Sequence, residues 1–152
     1  MPITIESIRF GTLDISDDAM IELPLGLIGL DGSRYALLER NPDSGFLWLH
    51  SLEDPALALP VVDPRRFFPD FSLQLMAEDL EQTGFADPSA ADVYVTVRAA
   101  PDPQEITVNL RAPIVVSEGR GYQVLNTVPG AKLRAPLFGE AAAPERSAVD
   151  AA

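Results

Sequence analysis

The sequence predicts a mainly β fold: a small, antiparallel, barrel-like single domain with one or two short helices. Three observations support this prediction. Short runs of alternating apolar and polar residues, roughly eight to ten in all, recur along the chain as strands do. The 10 Gly and 14 Pro residues mostly fall between these runs, as expected for turns. Only one good candidate helix stands among them. Closure into a barrel or a small sandwich would protect the strand edges.

The first third of the chain contains five predicted strands. They are expected at residues 3–9, 12–15, 19–23, 35–39 and 46–50. Residues 23–32 read LPLGLIGLDG, where three Gly and one Pro disfavour a regular element. The apolar residues between them predict an irregular segment packed on the core. Residues 41–45 read NPDSG, a strong turn signal that predicts a hairpin between the fourth and fifth strands.

A strand and a short helical segment are predicted next. The strand covers residues 57–62. Pro60 lies inside it and cannot donate to a ladder, which predicts an edge or a bulge. Asp63 suits the N-cap and Pro64 the first position of a short helical or turn segment that ends at Pro69.

The best helix candidate spans residues 72–83. Leu73, Met76 and Leu80 are three and four residues apart, so they share one face of such a helix. Gly84 is expected to end it, because a left-handed glycine commonly follows the last helical turn. Residues 87–89 then form a predicted loop.

The last third of the chain returns to strands. They are expected at residues 92–99, 106–110, 114–117 and 122–126, with a hairpin turn at residues 119–121. Residues 92–99 read DVYVTVRA, the clearest alternation in the chain. The predicted core residues are Trp48, Leu49 or Leu47, Val61, Val93, Val95, Val97, Val108 and Leu110.

Length and composition predict one folded domain over residues 1–138. The remaining residues, 139–152, read GEAAAPERSAVDAA and predict a flexible Ala-rich tail. The chain has no Cys, which excludes disulfides and thiolate chemistry. Its first residues lack the pattern of a signal peptide, and no run is long enough to span a membrane. We therefore expect a cytoplasmic protein with no membrane association that is monomeric when free.

The net charge of −12 bears on the kind of partner. Residues 39–105 hold 13 acids and 4 bases, so most of the imbalance lies in the middle of the chain. Such a field disfavours direct nucleic-acid binding, which depends on cationic contacts to phosphate. It could attract a basic protein and speed the encounter. The alternative is that the charge serves solubility alone.

Catalytic and cofactor chemistry find little support in the sequence. His50 is the only His, so a Ser–His triad could use only its neighbour Ser51, which would point to the other face of a strand. The sequence therefore predicts a hydrogen-bonded structural role for His50 and no metal site. Carboxylate pairs are expected by chance among 23 acids. No phosphate-binding glycine loop is present. We predict no enzyme activity and no cofactor.

The best binding candidate is the segment DPRRFFPDF, residues 63–71. Consecutive aromatic residues in a short turn cannot all face one core, so at least one is expected at the surface as an interface anchor. The alternative is that both Phe rings plug the end of a barrel. With two acids expected close by, the predicted partner-binding residues are Glu53, Asp54, Asp63, Phe67, Phe68, Pro69 and Asp70.

Several motifs, in order, resemble the FliW family of flagellar assembly factors from about residue 3 to residue 138. The motifs are Phe10-Gly11; Pro24-x-Gly26-x-x-Gly29-Leu30; Phe46-x-Trp48-Leu49-x-Ser51; Glu53-Asp54-Pro55; Val61-Val62-Asp63-Pro64; Phe68-Pro69-Asp70-Phe71; and Thr107-Val108-Asn109-Leu110-x-Ala112-Pro113-Ile114-Val115. The sequence departs from the family pattern at His50, where Gln is frequent, at Pro60, and at Ala135, where His is frequent.

The resemblance implies a non-enzymatic regulator with a small β-barrel fold. Members of the family bind the translational repressor CsrA and so relieve repression of flagellin synthesis, and they also bind flagellin, which competes. The resemblance also implies contact with CsrA away from its RNA-binding face, so the antagonism would be allosteric. Two hypotheses follow for this chain: a CsrA antagonist, or a chaperone-like flagellin binder with little CsrA role.

Overall fold

Eleven strands and two short helices make up the computed structural model over residues 3–30, 32–39, 43–85 and 90–138. The predicted tail, the predicted loop at 87–89 and the start of the predicted turn at 41–45 lie outside these residues. The strands are β1 Ile3–Ser7, β2 Gly11–Ile15, β3 Met20–Glu22, β4 Arg34–Leu38, β5 Phe46–Ser51, β6 Ala58–Val62, β7 Asp92–Arg98, β8 Thr107–Val108, β9 Ile114–Ser117, β10 Arg120–Gln123 and β11 Ala135–Pro136. The helices are α1 Pro64–Phe67 and α2 Ala77–Thr83. Single 3-10 turns lie at Asp17–Ala19 and Pro103–Glu105.

Seven of the strands close into a barrel, which confirms the predicted fold class. Their order is β7-β6-β5-β4-β3-β10-β9, and pairing of β9 with β7 completes the circle. The pairings are antiparallel except at β3 and β10, which run parallel and meet at one residue pair, Arg120 and Glu22. Because β9 pairs only with the first half of β7, the second half is free to pair with β8, which pairs with β11. The β1–β2 hairpin forms a separate sheet.

Most of the predicted core residues are buried, as expected, but they are divided between the interior of the barrel and clusters on its outer face. Val93, Val95 and Val97 alternate with less buried neighbours along β7, as predicted. Leu49 and Val61 are buried inside the barrel, where Leu47 packs half-buried against the same core. Val62 pairs with Val95 on the opposite, outer face, where Val95, Val97 and Val108 belong to a separate buried cluster. Leu110 is only half-buried and lies at the margin of a second cluster around Val62 and Val95.

Trp48 was predicted to line the interior, and this is wrong. Alternation along β5 points Leu47 and Leu49 into the barrel, so the intervening Trp48 faces outward. Its ring packs edge-on against Phe10, with centroids 5.3 Å apart, and the Arg9 guanidinium lies 4.7 Å from its centroid. The β1–β2 hairpin thus covers the outer face of β5, and Trp48 remains half-buried there.

The predicted helix at residues 72–83 begins later than expected. Only Ala77–Thr83 is helical, and it ends at Gly84 with φ of 67°, as predicted. The preceding residues stay extended because the backbone of Gln74 is bonded elsewhere: its N–H donates to Asn126 Oδ1 at 3.0 Å, and its carbonyl accepts from Thr127 N at 2.8 Å. These long-range hydrogen bonds keep the segment extended although the spacing of its apolar residues favours a helix.

Three further predictions are corrected by the pairing. β6 is an inner strand between β5 and β7, not an edge; Pro60 faces Trp48, and the ladder to β7 starts at the next residue, Val61. The last hairpin turns one residue early, at Glu118 and Gly119, both with positive φ. The strand predicted at residues 106–110 is only two residues long. Within the described residues, no helix is long and apolar enough to cross a membrane.

Candidate functional site

A surface cleft of about 280 Å³ is formed where the segment after α1 faces the loop before β11. One wall is the predicted binding segment, and the other is residues 128–131. The lining residues are Phe67, Phe68, Pro69, Asp70, Phe71, Ser72, Leu110, Asn126, Val128, Pro129, Gly130 and Ala131. Four of the seven predicted partner-binding residues therefore meet at one cavity.

Local signals shape the first wall. Asp63 Oδ1 accepts a hydrogen bond from Arg65 N at 2.9 Å and caps α1, as predicted, while Pro64 supplies the first helical residue. The helix stops after one turn because Phe68 adopts an extended conformation and Pro69 follows. A turn closed by the bond from Phe71 N to the Phe68 carbonyl, 2.9 Å, then reverses the chain.

Phe67 and Phe68 are both half-buried, so neither alternative predicted for the pair describes them fully. The ring of Phe67 makes edge contacts with Phe46 and Phe138, with centroids 6.3 and 6.1 Å apart. Both Phe side chains also pack against the buried cluster around Val62 and Val95. The two Phe side chains are thus held against this buried cluster on one side, and they line the solvent-exposed cleft on the other.

Gly45 sets how closely the start of β5 approaches this wall. Its φ is 79°, and a Cβ at this position would lie 3.1 Å from Cζ of Phe67 and 3.2 Å from Nε of Arg66. A side chain here would be strained by the backbone and crowded by the Phe67 ring.

Asn126 joins the two walls, and the sequence did not reveal its role. It is 5% exposed, and its Nδ2 donates to the carbonyl of Ser72 at 3.0 Å. Its Oδ1 accepts from the backbone N–H groups of Gln74 and Val128, at 3.0 and 3.2 Å. One buried amide therefore satisfies backbone groups from both sides of the cleft. The only signal available was a polar residue inside a predicted apolar strand.

Glu53 and Asp54 were expected beside the aromatic segment, and the structure does not bring them together with it. Both lie in the turn between β5 and β6, whereas α1 follows the opposite end of β6. The five-residue strand β6 separates the two places by roughly 16 Å. Asp54 serves its own turn, because its Oδ1 accepts from Ala56 N at 2.9 Å.

Glu53 is bound to the neighbouring β3–β4 connection. Its Oε1 accepts hydrogen bonds from Ser33 N at 2.8 Å and from Arg34 N at 3.2 Å. These two backbone donors, with a smaller contribution from the Arg34 charge, lower the pKa of Glu53 below its ordinary value. The carboxylate is exposed, yet its first role is to hold a loop.

Asp63 and Asp70, the two acids in the predicted binding segment, have different roles. Asp63 is occupied as the α1 cap, whereas Asp70 is exposed on the cleft lining. Across the barrel wall, burial raises the pKa of Tyr94, and the charges of Asp92 and Asp63 raise it further. Asp70 is therefore the one carboxylate among the lining residues of the cleft.

His50 has the structural role predicted for it. It is fully buried, and its Nδ1 lies 2.7 Å from the Ser51 carbonyl while its Nε2 lies 2.7 Å from Ser7 Oγ. Both ring nitrogens are therefore engaged inside the protein. Over the described ranges, no group of three or more His, Cys, Asp or Glu residues could hold a metal ion.

Comparison with known proteins gives a consistent result. The family model described as FliW protein matches residues 4–137. A flagellar assembly factor FliW of Geotalea uraniireducens (strain Rf4) is 35% identical over 132 residues, which cover 86% of this chain and 81% of that protein. The corresponding protein of Geobacter sulfurreducens is 33% identical over 136 residues, covering 88% and 86%. A crystal structure of the flagellar assembly factor FliW matches with a TM-score of 0.80 and 28% identity, over 91% of this chain and 99% of that one.

Proposed function

Because this chain belongs to the FliW family of flagellar assembly factors, we propose that it binds the translational regulator CsrA and so relieves repression of flagellin synthesis. The family resemblance predicted from the motifs is confirmed, and the choice of partner is the proposal. Free flagellin is the proposed competitor. The protein would act in the bacterial cytoplasm by binding and not by catalysis.

The observation that carries the proposal is an aromatic cleft on a strongly acidic protein. Phe67 and Phe68 are held in place from behind and reach the cleft surface, as interface anchors must. Asp70 lies beside them, and the whole chain carries a net charge of −12. Apolar anchors supply affinity, and the negative field speeds the approach of a basic partner such as CsrA.

Glu53 and Asp54 enter this proposal only as contributors to that field. They lie at the far end of the β5–β6 hairpin, beyond the screening length of about 8 Å at physiological salt. Their effect would be on the rate of association at low salt. The contacts that determine dissociation would come from Phe67, Phe68, Pro69 and Asp70.

A second candidate function is handling of flagellin itself, and the lining of the cleft favours it. Leu110, Val128 and Pro129 complete an apolar cavity of about 280 Å³. Apolar side chains of a flagellin segment could fill such a cavity with little help from charge. In this case flagellin would be the main partner and CsrA a minor one.

The test is a kinetic binding measurement in which purified CsrA and purified flagellin are each titrated against the 152-residue chain, at salt concentrations from about 0.05 to 0.5 M. Under the CsrA proposal, CsrA binds, its association slows steeply with salt, and flagellin displaces it. Strong, salt-insensitive flagellin binding without CsrA binding would support the second candidate instead. Binding of neither partner would overturn both.

A variant pair locates the contact. Phe68→Ala should speed dissociation of the partner in the cleft about 30-fold, which corresponds to about 2 kcal/mol. Leu133→Ala is the matched control, because Leu133 is an exposed apolar residue outside the cleft lining. Equal dissociation rates for the two variants would place the interface elsewhere.

A further inference from the structure

Another cavity lies where strands β8 and β11 extend the sheet beyond the barrel, and the proposed function does not use it. Its volume is about 220 Å³, and it shares no lining residue with the cleft. We call it the β8 pocket, after the strand at its centre. Its polar lining residues are Thr96, Arg98, Thr107, Asn109 and Arg134. Two of them are cations and none is an acid, on a chain whose net charge is −12.

Strand pairing brings the two arginines to one face of this sheet. One row of paired residues across β7, β8 and β11 is buried: Val97, Val108 and Ala135. Side chains alternate between the two faces along a strand, so the residues next to this row point the other way. Arg98 follows the buried row on β7, and Arg134 precedes it on β11. Both arginines therefore contribute to the same cavity.

Neither arginine has a counterion in the part of the chain that the structure describes. Arg98 and Arg134 are exposed, and among the described residues the side chain of neither forms an ion pair or a hydrogen bond. Asp102 and Glu105, the acids between β7 and β8, do not line the pocket. Two guanidinium groups at one cavity repel each other, and a bound anion would relieve that repulsion.

The hydroxyl of Thr107 lacks a partner at the centre of the same face. Thr107 pairs with Arg98 on β7 and with Pro136 on β11. Its Oγ1 is buried and has no hydrogen-bond partner among the described residues, which is unusual because such a group has lost its bonds to water. Since Thr107 lines the pocket, rotation about χ1 to another staggered position would bring the hydroxyl to the pocket surface as a donor.

We infer that the β8 pocket binds a phosphate group, either as the free ion or as a small phosphate monoester. Arg98 and Arg134 would donate charge-assisted hydrogen bonds to its oxygens, and Thr107 would add a third donor. Two guanidinium charges match a phosphate monoester, which is largely a dianion at pH 7. The pocket is smaller than the roughly 300 Å³ at which sites for drug-sized ligands begin, which suits a small ligand. A long polyanion such as nucleic acid is disfavoured by the negative charge of the chain.

The test is an NMR titration of the isotopically labelled 152-residue chain at low salt, with inorganic phosphate and then with methyl phosphate. Both should shift the amide signals of residues 96–98, 107–109 and 133–134, with a dissociation constant of about 1 mM or below. Tighter binding of methyl phosphate would assign a monoester as the ligand, and equal binding would assign the free ion. Acetate should bind at least about fivefold more weakly, because its single charge faces two guanidinium groups.

Paired variants locate the site. Arg98→Gln with Arg134→Gln should weaken phosphate binding at least about tenfold. Arg65→Gln with Arg111→Gln is the matched control, because it removes the same charge from exposed positions outside the pocket, and it should bind within about twofold of the unaltered protein. Absence of binding, or equal losses in the two double variants with the fold intact by circular dichroism, would overturn the proposal.

Thr107→Val tests the hydroxyl separately, because it keeps the shape of the side chain and removes the oxygen. Since Oγ1 has no partner among the described residues, the free energy of unfolding should not fall. Phosphate binding should nevertheless weaken about threefold, through the loss of one donor. A loss of stability without a change in phosphate binding would assign the hydroxyl a structural role and remove it from the site. None of these outcomes depends on which partner occupies the cleft.

Discussion

The imidazole Nε2 of His50 lies 2.7 Å from Oγ of Ser7, and this bond fastens the β1–β2 hairpin to the outside of the barrel. Nδ1 of His50 must donate to the Ser51 carbonyl, so in the neutral ring Nε2 accepts the Ser7 hydroxyl proton. Ser7 Oγ in turn accepts from Arg9 N and Phe10 N, at 3.2 and 3.0 Å. Every polar group in this buried arrangement is satisfied.

Replacing Ser7 by Ala should therefore destabilise the protein by about 2 kcal/mol. The change leaves the buried Nε2 of His50 and the part-buried N–H groups of Arg9 and Phe10 without their partner. Urea unfolding followed by circular dichroism measures the loss. Ser16→Ala is the control, because the exposed Ser16 makes no side-chain cap bond, and its effect should stay within about 0.5 kcal/mol. Equal stability of the two variants would contradict the assigned hydrogen bonds.

The Glu53 carboxylate predicts a pH-dependent contribution to stability. Hydrogen bonds from Ser33 N and Arg34 N lower its pKa below the ordinary 4.5. A lowered folded-state pKa means that the contribution is present above pH 4.5 and disappears as pH falls through the folded-state value. Glu53→Gln should thus lower the melting temperature at pH 7, and the gap to the unaltered protein should close in acid. Glu105→Gln, whose carboxylate accepts no hydrogen bond from the described residues, should show no such closing gap.

Gly45→Ala should destabilise the protein and disturb the cleft. The positive φ alone costs roughly 1–2 kcal/mol for a non-glycine residue, and the Cβ would also push on the Phe67 ring. Gly11→Ala is a close control, since Gly11 has φ of 77° and open space around its missing Cβ. The free energy of unfolding should fall further for Gly45→Ala than for Gly11→Ala. Equal losses in the free energy of unfolding would show that the Phe67 ring moves aside for the added Cβ without a cost in stability.

Asn126 offers a test of how the cleft is held together. Asn126→Ala removes bonds to both walls and should cost about 2–3 kcal/mol, because Gln74 N, Val128 N and the Ser72 carbonyl lose their partner. Asn126→Asp keeps the acceptor for the two N–H groups but loses the donor to Ser72, so it should retain part of the stability at neutral pH. If Ala and Asp prove equally damaging, the acceptor half of the amide contributes nothing.

The candidate site was half visible in the sequence. The segment around Phe67 and Asp70 was identified because two consecutive aromatic residues in a short, Pro-bounded segment cannot both face one core. The second wall at residues 128–131 and the role of the Asn126 amide were not identified from the sequence. Asn126 forms hydrogen bonds with residues more than 50 positions away. A partner at that separation leaves no local pattern to read.

Features that depend on residues close together in the chain could be predicted from the sequence. Alternation in β7 reflects the two-residue period of a strand, the Asp63–Pro64 cap is a bond within four residues, and Gly84 supplies a backbone angle that other residues avoid. Features that depend on pairing between distant residues became visible only in the folded protein. Asn126 keeps residues before α2 extended, the β1–β2 hairpin gives Trp48 and His50 an outer surface to pack against, and the length of β6 parts Glu53 from Phe67. In each of these the energy comes from contacts between distant parts of the chain, which outweigh local propensities of a few tenths of a kcal/mol per residue.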